Sequence, residues 1–175
     1  MVYQNIIKYR WHFSEDLKFF NKITINNVCI MGSTTAKDLG KPLRDRINIV
    51  ISSNDDCKDL GKTRVNYDSN DFIIIRNLEE ALQEAYKFAY PFKEIFIVGG
   101  SRLYNEALNH SMLNKIYYTH INQSFDCDNF VEPILNRDNM TYEILNKIKY
   151  DRVDIENNNN IYRNVELTFY LITKN

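Results

Sequence analysis

Six short apolar runs constrain this chain more than any other feature: NNVCIMG (26–32), RINIVIS (46–52), DFIIIRN (71–77), EIFIVGG (94–100), KIYYTHI (115–121) and ELTFYLIT (166–173). Each is too short for an ordinary helix and is rich in β-branched or aromatic residues, so each reads as a strand. Their apolar character is continuous rather than alternating, which is the pattern of strands covered on both faces. Between them lie helical patterns at 14–22, 34–39, 78–90 and 101–110, with Asn77 placed to cap the third and Pro91 to stop it. The alternation predicts an α/β fold, three-layer, with a mostly parallel central sheet and right-handed crossovers. After residue 122 it stops. TYEILNKIKY (141–150) and VELTFYLITK (165–174) flank the polar DRVDIENNNN, which predicts a C-terminal antiparallel hairpin on the sheet's edge.

A chain of 175 residues has room for one core of ordinary size, so residues 1–175 are expected to form a single domain and to act as a monomer. The net charge of −1 lacks the basic excess of a nucleic-acid binder and points to small ligands. No apolar run approaches the ~18 residues of a membrane span, and the start lacks the apolar centre of a signal peptide. These features predict a cytoplasmic protein that meets neither membrane nor nucleic acid. Cys29, Cys57 and Cys127 are odd in number and widely spaced, which predicts reduced thiols, with Cys29 in a strand core. His12, His110 and His120 are scattered, so no metal is expected and local hydrogen bonds are.

In an open α/β sheet, ligands meet the carboxyl ends of strands, where helix N-termini offer unpaired N–H groups. Gly99 and Gly100 stand at such an end, before a helix that carries Arg102 in its first turn. The pair suits close approach to a diphosphate, or else a tight turn that needs glycine for conformation alone. Gly32 ends another strand and is followed by Ser33, Thr34 and Thr35, while Ser52 and Ser53 close a third. Together the three ends outline a groove for a long phosphorylated ligand such as a dinucleotide. Upstream, RWHFSEDLKFF holds the lone Trp11, a candidate N-cap in Ser14, and two adjacent acids, Glu15 and Asp16.

The segments WHFSEDLKFFNKIT, MGSTTAKDLGKPLRDRINIVIS, EIFIVGGSRLYNEAL and IYYTHINQSFDCDNF, in this order, resemble the dihydrofolate reductase family from about Trp11 to the C-terminus. The resemblance implies reduction of dihydrofolate to tetrahydrofolate by hydride transfer from NADPH, on an eight-stranded sheet with a C-terminal hairpin. It assigns Asp16 as the pterin-binding acid. Helical spacing agrees, because positions 16, 19 and 20 share a face and set Asp16 beside Phe19 and Phe20, while Glu15 can point to water. In that apolar cleft the Asp16 carboxyl is expected to hold its proton more tightly than usual and to promote protonation of the pterin. By the same resemblance Thr119 hydrogen-bonds the acid and the pterin, and Trp11 holds ordered water beside it. Arg46 grips the α-carboxylate of the substrate's glutamate tail, with Lys41 near that tail. Phe20 and Leu43 flank the aminobenzoyl group, and Val98 also lines the substrate site. The cofactor falls to Gly99, Gly100, Ser101, Arg102, Leu103 and Tyr104 on one side, and to Gly32, Thr34, Thr35, Ser52 and Ser53 on the other.

Two departures stand out. The family usually carries a basic residue just after Met-Gly; here Ser33 and Thr34 stand there, removing a charge-assisted contact of about 1.5–3 kcal/mol that would favour NADPH over NADH. Before Trp11 the family has a strand and a glycine-containing loop, where this chain has only MVYQNIIKYR, with VYQNII as a candidate for a shortened strand. Two other readings follow: a catalytically impaired homologue that binds folate, nucleotide or a protein partner, and a related pterin or pyrimidine reductase. Arg46 discriminates against the last, since only a ligand with a glutamate-like carboxylate needs that fork.

Overall fold

The protein is described by a computed structural model that covers residues 13–52, 71–91, 93–124, 129–155 and 160–175. Trp11, Ser53, Cys57, Cys127, His12 and the segment VYQNII lie outside the described residues.

Helix α1 (Ser14–Thr24) leads into strand β1 (Val28–Gly32), helix α2 (Ser33–Leu39) and strand β2 (Ile47–Ile51). Strand β3 (Phe72–Ile75), helix α3 (Leu78–Ala89), strand β4 (Ile95–Ile97) and helix α4 (Ser101–Leu108) follow, and then β5 (Lys115–Ile121), β6 (Met140–Ile155) and β7 (Asn160–Lys174). The first four strands form a parallel sheet in the order β3-β2-β1-β4, and the last three an antiparallel sheet in the order β5-β7-β6. The α/β class, the parallel sheet and the C-terminal hairpin are as the sequence predicts. The described residues show seven strands, divided between two sheets, where the family resemblance implied eight in one. The expected turn at 151–160 is also shorter, because Arg152 pairs with Arg163 and Val153 with Tyr162, carrying the ladder to Ile155.

Val28, Cys29, Ile30 and Met31 of β1 are all fully buried. Successive strand residues point to opposite faces, so four in a row can be buried only if both faces are covered. Helix α3 packs on this sheet through Leu78, Ala81, Ala85 and Ala89, a stripe of small side chains that lets helix and strands approach closely. Its start is capped as expected: Asn77 Oδ1 accepts from Glu80 N–H at 2.9 Å, and the Asn77 side-chain amide donates to the Glu80 carboxylate at 2.9 Å. Ser14 does not cap α1. Phe13 occupies the cap position without a side-chain bond, and the Ser14 hydroxyl donates instead to Glu15 at 3.0 Å.

Candidate active site

Helix α1 buries three residues at fourfold spacing, Asp16, Phe20 and Thr24. That spacing is one face of a helix, and on it Asp16, 3% exposed, is the sole carboxylate. Thr24 returns its hydroxyl to the Phe20 carbonyl at 2.8 Å, which satisfies it without leaving the helix. Asp16 thus sits one turn before Phe20 on a face turned to the protein interior.

Strand β5 carries Thr119 and runs past Phe19 of the same helix. Tyr117, two residues earlier on the same side of the strand, meets the Phe19 ring edge-on at 6.1 Å. Thr119 pairs across the ladder with Phe169, whose ring lies 5.1 Å from Phe19. The Thr119 Oγ1 is shut from solvent and has no hydrogen-bond partner among the described residues. A buried hydroxyl without a partner is costly, so this one is available to a further polar atom.

Arg46 stands over Phe20. Its guanidinium carbon lies 5.6 Å over the Phe20 ring, and one terminal N–H donates to Asn21 Oδ1 at 2.7 Å. The side chain is 6% exposed, its Nε has no hydrogen-bond partner among the described residues, and burial pushes its pKa below the usual arginine value. Arginine nonetheless remains charged, so a buried cation with an unsatisfied N–H faces the cleft. The loop that presents it is held by Asn48, which motif reading passed over. Its amide donates to the carbonyls of Leu43 at 2.9 Å and Arg46 at 3.0 Å, and its oxygen accepts from Leu43 N–H at 3.0 Å. A polar residue inside the apolar run RINIVIS was the available signal. Leu43 packs against the main core cluster, while Lys41 is exposed on the same loop.

The glycine junctions meet as predicted. Gly32 N–H donates to the Gly99 carbonyl at 2.8 Å, so the ends of β1 and β4 touch backbone to backbone. Gly99 has φ +127°, and a Cβ there would lie 3.2 Å from Thr35 Oγ1; the Gly99–Gly100 peptide bond is cis. A Cβ on Gly32 would come 3.7 Å from both Gly99 O and Gly100 N. Glycine at these positions keeps a backbone-lined cradle open before α4, whose N–H groups start at Ser101. Thr35 is buried against the cradle, Thr34 and Arg102 are exposed, and Ser52 is tied to β3 through its N–H to Ile75 O at 2.8 Å. Val98, Leu103 and Tyr104 belong to the main core cluster. The Tyr104 hydroxyl would stand 3.7 Å from a Cβ on Gly99, at the back of the cradle.

Glu15 has a partner that helical spacing did not announce. Its partly exposed carboxylate accepts from the Tyr150 hydroxyl of β6. That bond, the Glu15 backbone amide and Ser14 hold its carboxyl below the usual carboxylate range. The histidines make local bonds, His110 with Glu79 at 2.8 Å and His120 with the Tyr118 hydroxyl at 3.5 Å. A cavity of about 370 Å³ between α3, β4 and β5, lined by Leu82, Phe96, His110 and Tyr117, includes none of the predicted site residues.

The family model for dihydrofolate reductase matches residues 5–167. The chain belongs to that family. The match starts upstream of Trp11, earlier than the motifs placed it, and reaches into the segment before the lone tryptophan. Dihydrofolate reductase of Schistosoma mansoni is 33% identical over 132 residues, covering 69% of this chain and 66% of that protein. The Bacillus subtilis (strain 168) protein of the same name is 30% identical over 118 residues, covering 67% of this chain and 61% of that one. The chain thus spans less than two thirds of the length of these two relatives. Among solved structures, a dihydrofolate reductase from Enterococcus faecalis complexed with NADP(H) and RAB-propyl superposes with a TM-score of 0.63 at 24% identity. That superposition covers 96% of this chain and 86% of that one, and it establishes the shared fold.

Proposed function

We propose that this family member reduces dihydrofolate to tetrahydrofolate by hydride transfer from NADPH. The observation that carries the reading is a buried acid, Asp16, on the same helix face as Phe20, whose ring carries the buried Arg46 guanidinium at 5.6 Å. A buried acid, a ring and a buried cation gathered along one helix suit a ligand with an amide-like heterocycle at one end, an aromatic middle and a carboxylate at the other. Relatives named dihydrofolate reductase support the same assignment.

NADPH, when bound, supplies the hydride. The chain's own residues bind, orient and handle the proton. Asp16 accepts hydrogen bonds from the pterin's amino and ring N–H groups and raises the proton affinity of the ring nitrogen next to the carbon that receives hydride. Thr119 donates its hydroxyl, which has no partner among the described residues, to that acid or to the pterin. Phe20 and Leu43 exclude water from the aromatic middle, which strengthens both charged contacts. Arg46 meets the tail carboxylate with the free side of its fork, while Asn21 holds the other side. The cradle of Gly32, Gly99 and Gly100 with Thr35 suits a diphosphate, since its lining is backbone and hydroxyl with no carboxylate among the residues that form it. We read residues 1–175 as one domain, acting as a cytoplasmic monomer; no helix among the described residues is long and apolar enough to cross a membrane.

The test is NADPH oxidation by the purified protein, with and without dihydrofolate. Dihydrofolate-dependent oxidation supports the reading, and its absence, with the folded protein binding neither ligand, overturns it.

A further inference from the structure

Arg46 is a buried cation held by a neutral side chain. Its guanidinium lies over Phe20, and one terminal nitrogen donates to Asn21 Oδ1 at 2.7 Å and reaches the Asn21 carbonyl at 3.5 Å. Buried charges are ordinarily paired with opposite ones. Among the described residues no carboxylate pairs with Arg46, and the neighbouring acid, Asp45, meets Arg44 instead at 3.6 Å, where both side chains are exposed.

The chain's course explains how residue 21 comes to this cation. Asn21 stands near the end of α1, and the loop before β2 is laid against that helix end. Asn26 N–H donates to the Asp45 carbonyl at 2.8 Å, and Ile47 N–H donates to the Asn27 carbonyl at 3.1 Å. Asn26 and Asp45 have φ of 62° and 58°, a region that asparagine and aspartate enter more readily than other side chains. The backbone is thus fixed on both sides of Arg46, whose side chain lies over Phe20 within reach of Asn21. Because arginine only donates, the atom it meets is the amide oxygen. Asn21 takes one donor of the fork, while the buried Nε has no partner among the described residues.

We propose that Asn21 is a specificity-determining positioning residue: its amide oxygen fixes the plane of the Arg46 guanidinium, and its lack of charge leaves that cation to the carboxylate of a ligand. This deepens the reductase reading and rests on it for the identity of the anion, though not for the geometry. An aspartate at 21, of nearly the same shape, forms the ion pair itself, and a ligand carboxylate must then compete with a resident one. An alanine leaves the guanidinium without its holder, so the cost of ordering it falls on the ligand. Asn21 is exposed, so a charge at that position is solvated and tolerated.

The experiment measures the Kd of folate, and of a pterin without the glutamate tail, for wild type, N21A and N21D, with denaturant unfolding of each. Folate binding is expected to weaken about 10–100-fold in N21D and about 3–10-fold in N21A, the loss of all or part of one charge-assisted contact. The tail-less pterin should bind the three proteins alike. N21D should unfold no more easily than wild type, whereas a merely structural amide would weaken the fold and both ligands together. Equal folate affinity in wild type and N21D overturns the proposal, and so does an equal loss for the two ligands. Should N21D not fold, N21A decides by the same two criteria. A measurement without ligand separates the proposal from the reductase reading: the guanidinium ¹⁵N NMR signals of Arg46, assigned with R46L, should be resolved in wild type, where Asn21 slows rotation, and merge in N21A. Folded wild type that binds neither compound overturns the reading; merging signals then keep the hold by Asn21, and identical spectra of the two proteins overturn that as well.

Discussion

The Arg46 guanidinium stands 5.6 Å over the Phe20 ring, with an N–H given to Asn21 Oδ1 at 2.7 Å. This contact holds the cation against the ring that follows Asp16 by one helical turn. R46L is expected to raise KM for dihydrofolate about 10–100-fold, the loss of a charge-assisted bond of about 1.5–3 kcal/mol, with a much smaller effect on kcat. R46K keeps the charge but not the fork, and should fall between. Steady-state kinetics with dihydrofolate, and with a pterin that lacks the glutamate tail, check this; the tail-less substrate should be indifferent to either change.

Gly99 is the position where the cradle tolerates least. At φ +127° an L side chain is strained, and its Cβ would press on Thr35 Oγ1 at 3.2 Å. G99A is expected to cost about 1–3 kcal/mol of stability and to weaken NADPH binding more than dihydrofolate binding. Denaturant unfolding and separate ligand titrations measure the two effects.

Cys29 lies at 0% exposure in β1, and burial pushes its thiol up to about 12. Only the thiolate reacts, so alkylation at mildly alkaline pH should leave Cys29 unmodified in the native protein and label it fully in denaturant. Peptide mapping by mass spectrometry reads the site directly.

Glu15 gives a pH dependence whose sign is fixed. Its folded-state pKa is lowered from 4.5 by the Tyr150 hydrogen bond first, then by its backbone amide and Ser14. A depressed carboxyl stabilises the fold above its unfolded pKa and loses that contribution as pH falls through the folded value. The stability difference between wild type and E15Q should therefore be constant around neutral pH and shrink on acidification below about 4.5. Urea unfolding at a series of pH values measures it.

Much of this was legible in the sequence because it depends on local pattern. β1 reads as doubly covered from VCIM alone, Asn77 announces the start of α3, and the glycines at 32, 99 and 100 mark the strand ends that meet. Asp16 was separable from Glu15 by helical spacing, and its burial agrees. What was hidden depends on register between distant segments. Nothing near Glu15 points to Tyr150, because the pairing needs the hairpin's long ladder to carry residue 150 back to the start of α1. The same ladder absorbed DRVDI, which polarity alone assigned to a turn. Ser14 has the right chemistry for a cap and the right neighbours, but its hydroxyl has a closer use at Glu15. Asn48 was visible as a polar residue in an apolar run, yet its function, holding the loop that presents Arg46, requires the loop's conformation.

The proposed reaction stands on Asp16. Its most direct test is the rate of NADPH oxidation with dihydrofolate at neutral pH, in wild type and in D16N shown to be folded. Dihydrofolate-dependent turnover in the wild type, falling about 10²–10⁴-fold in D16N, is the expected result for the loss of the proton-handling carboxyl. Equal turnover in the two proteins would contradict it.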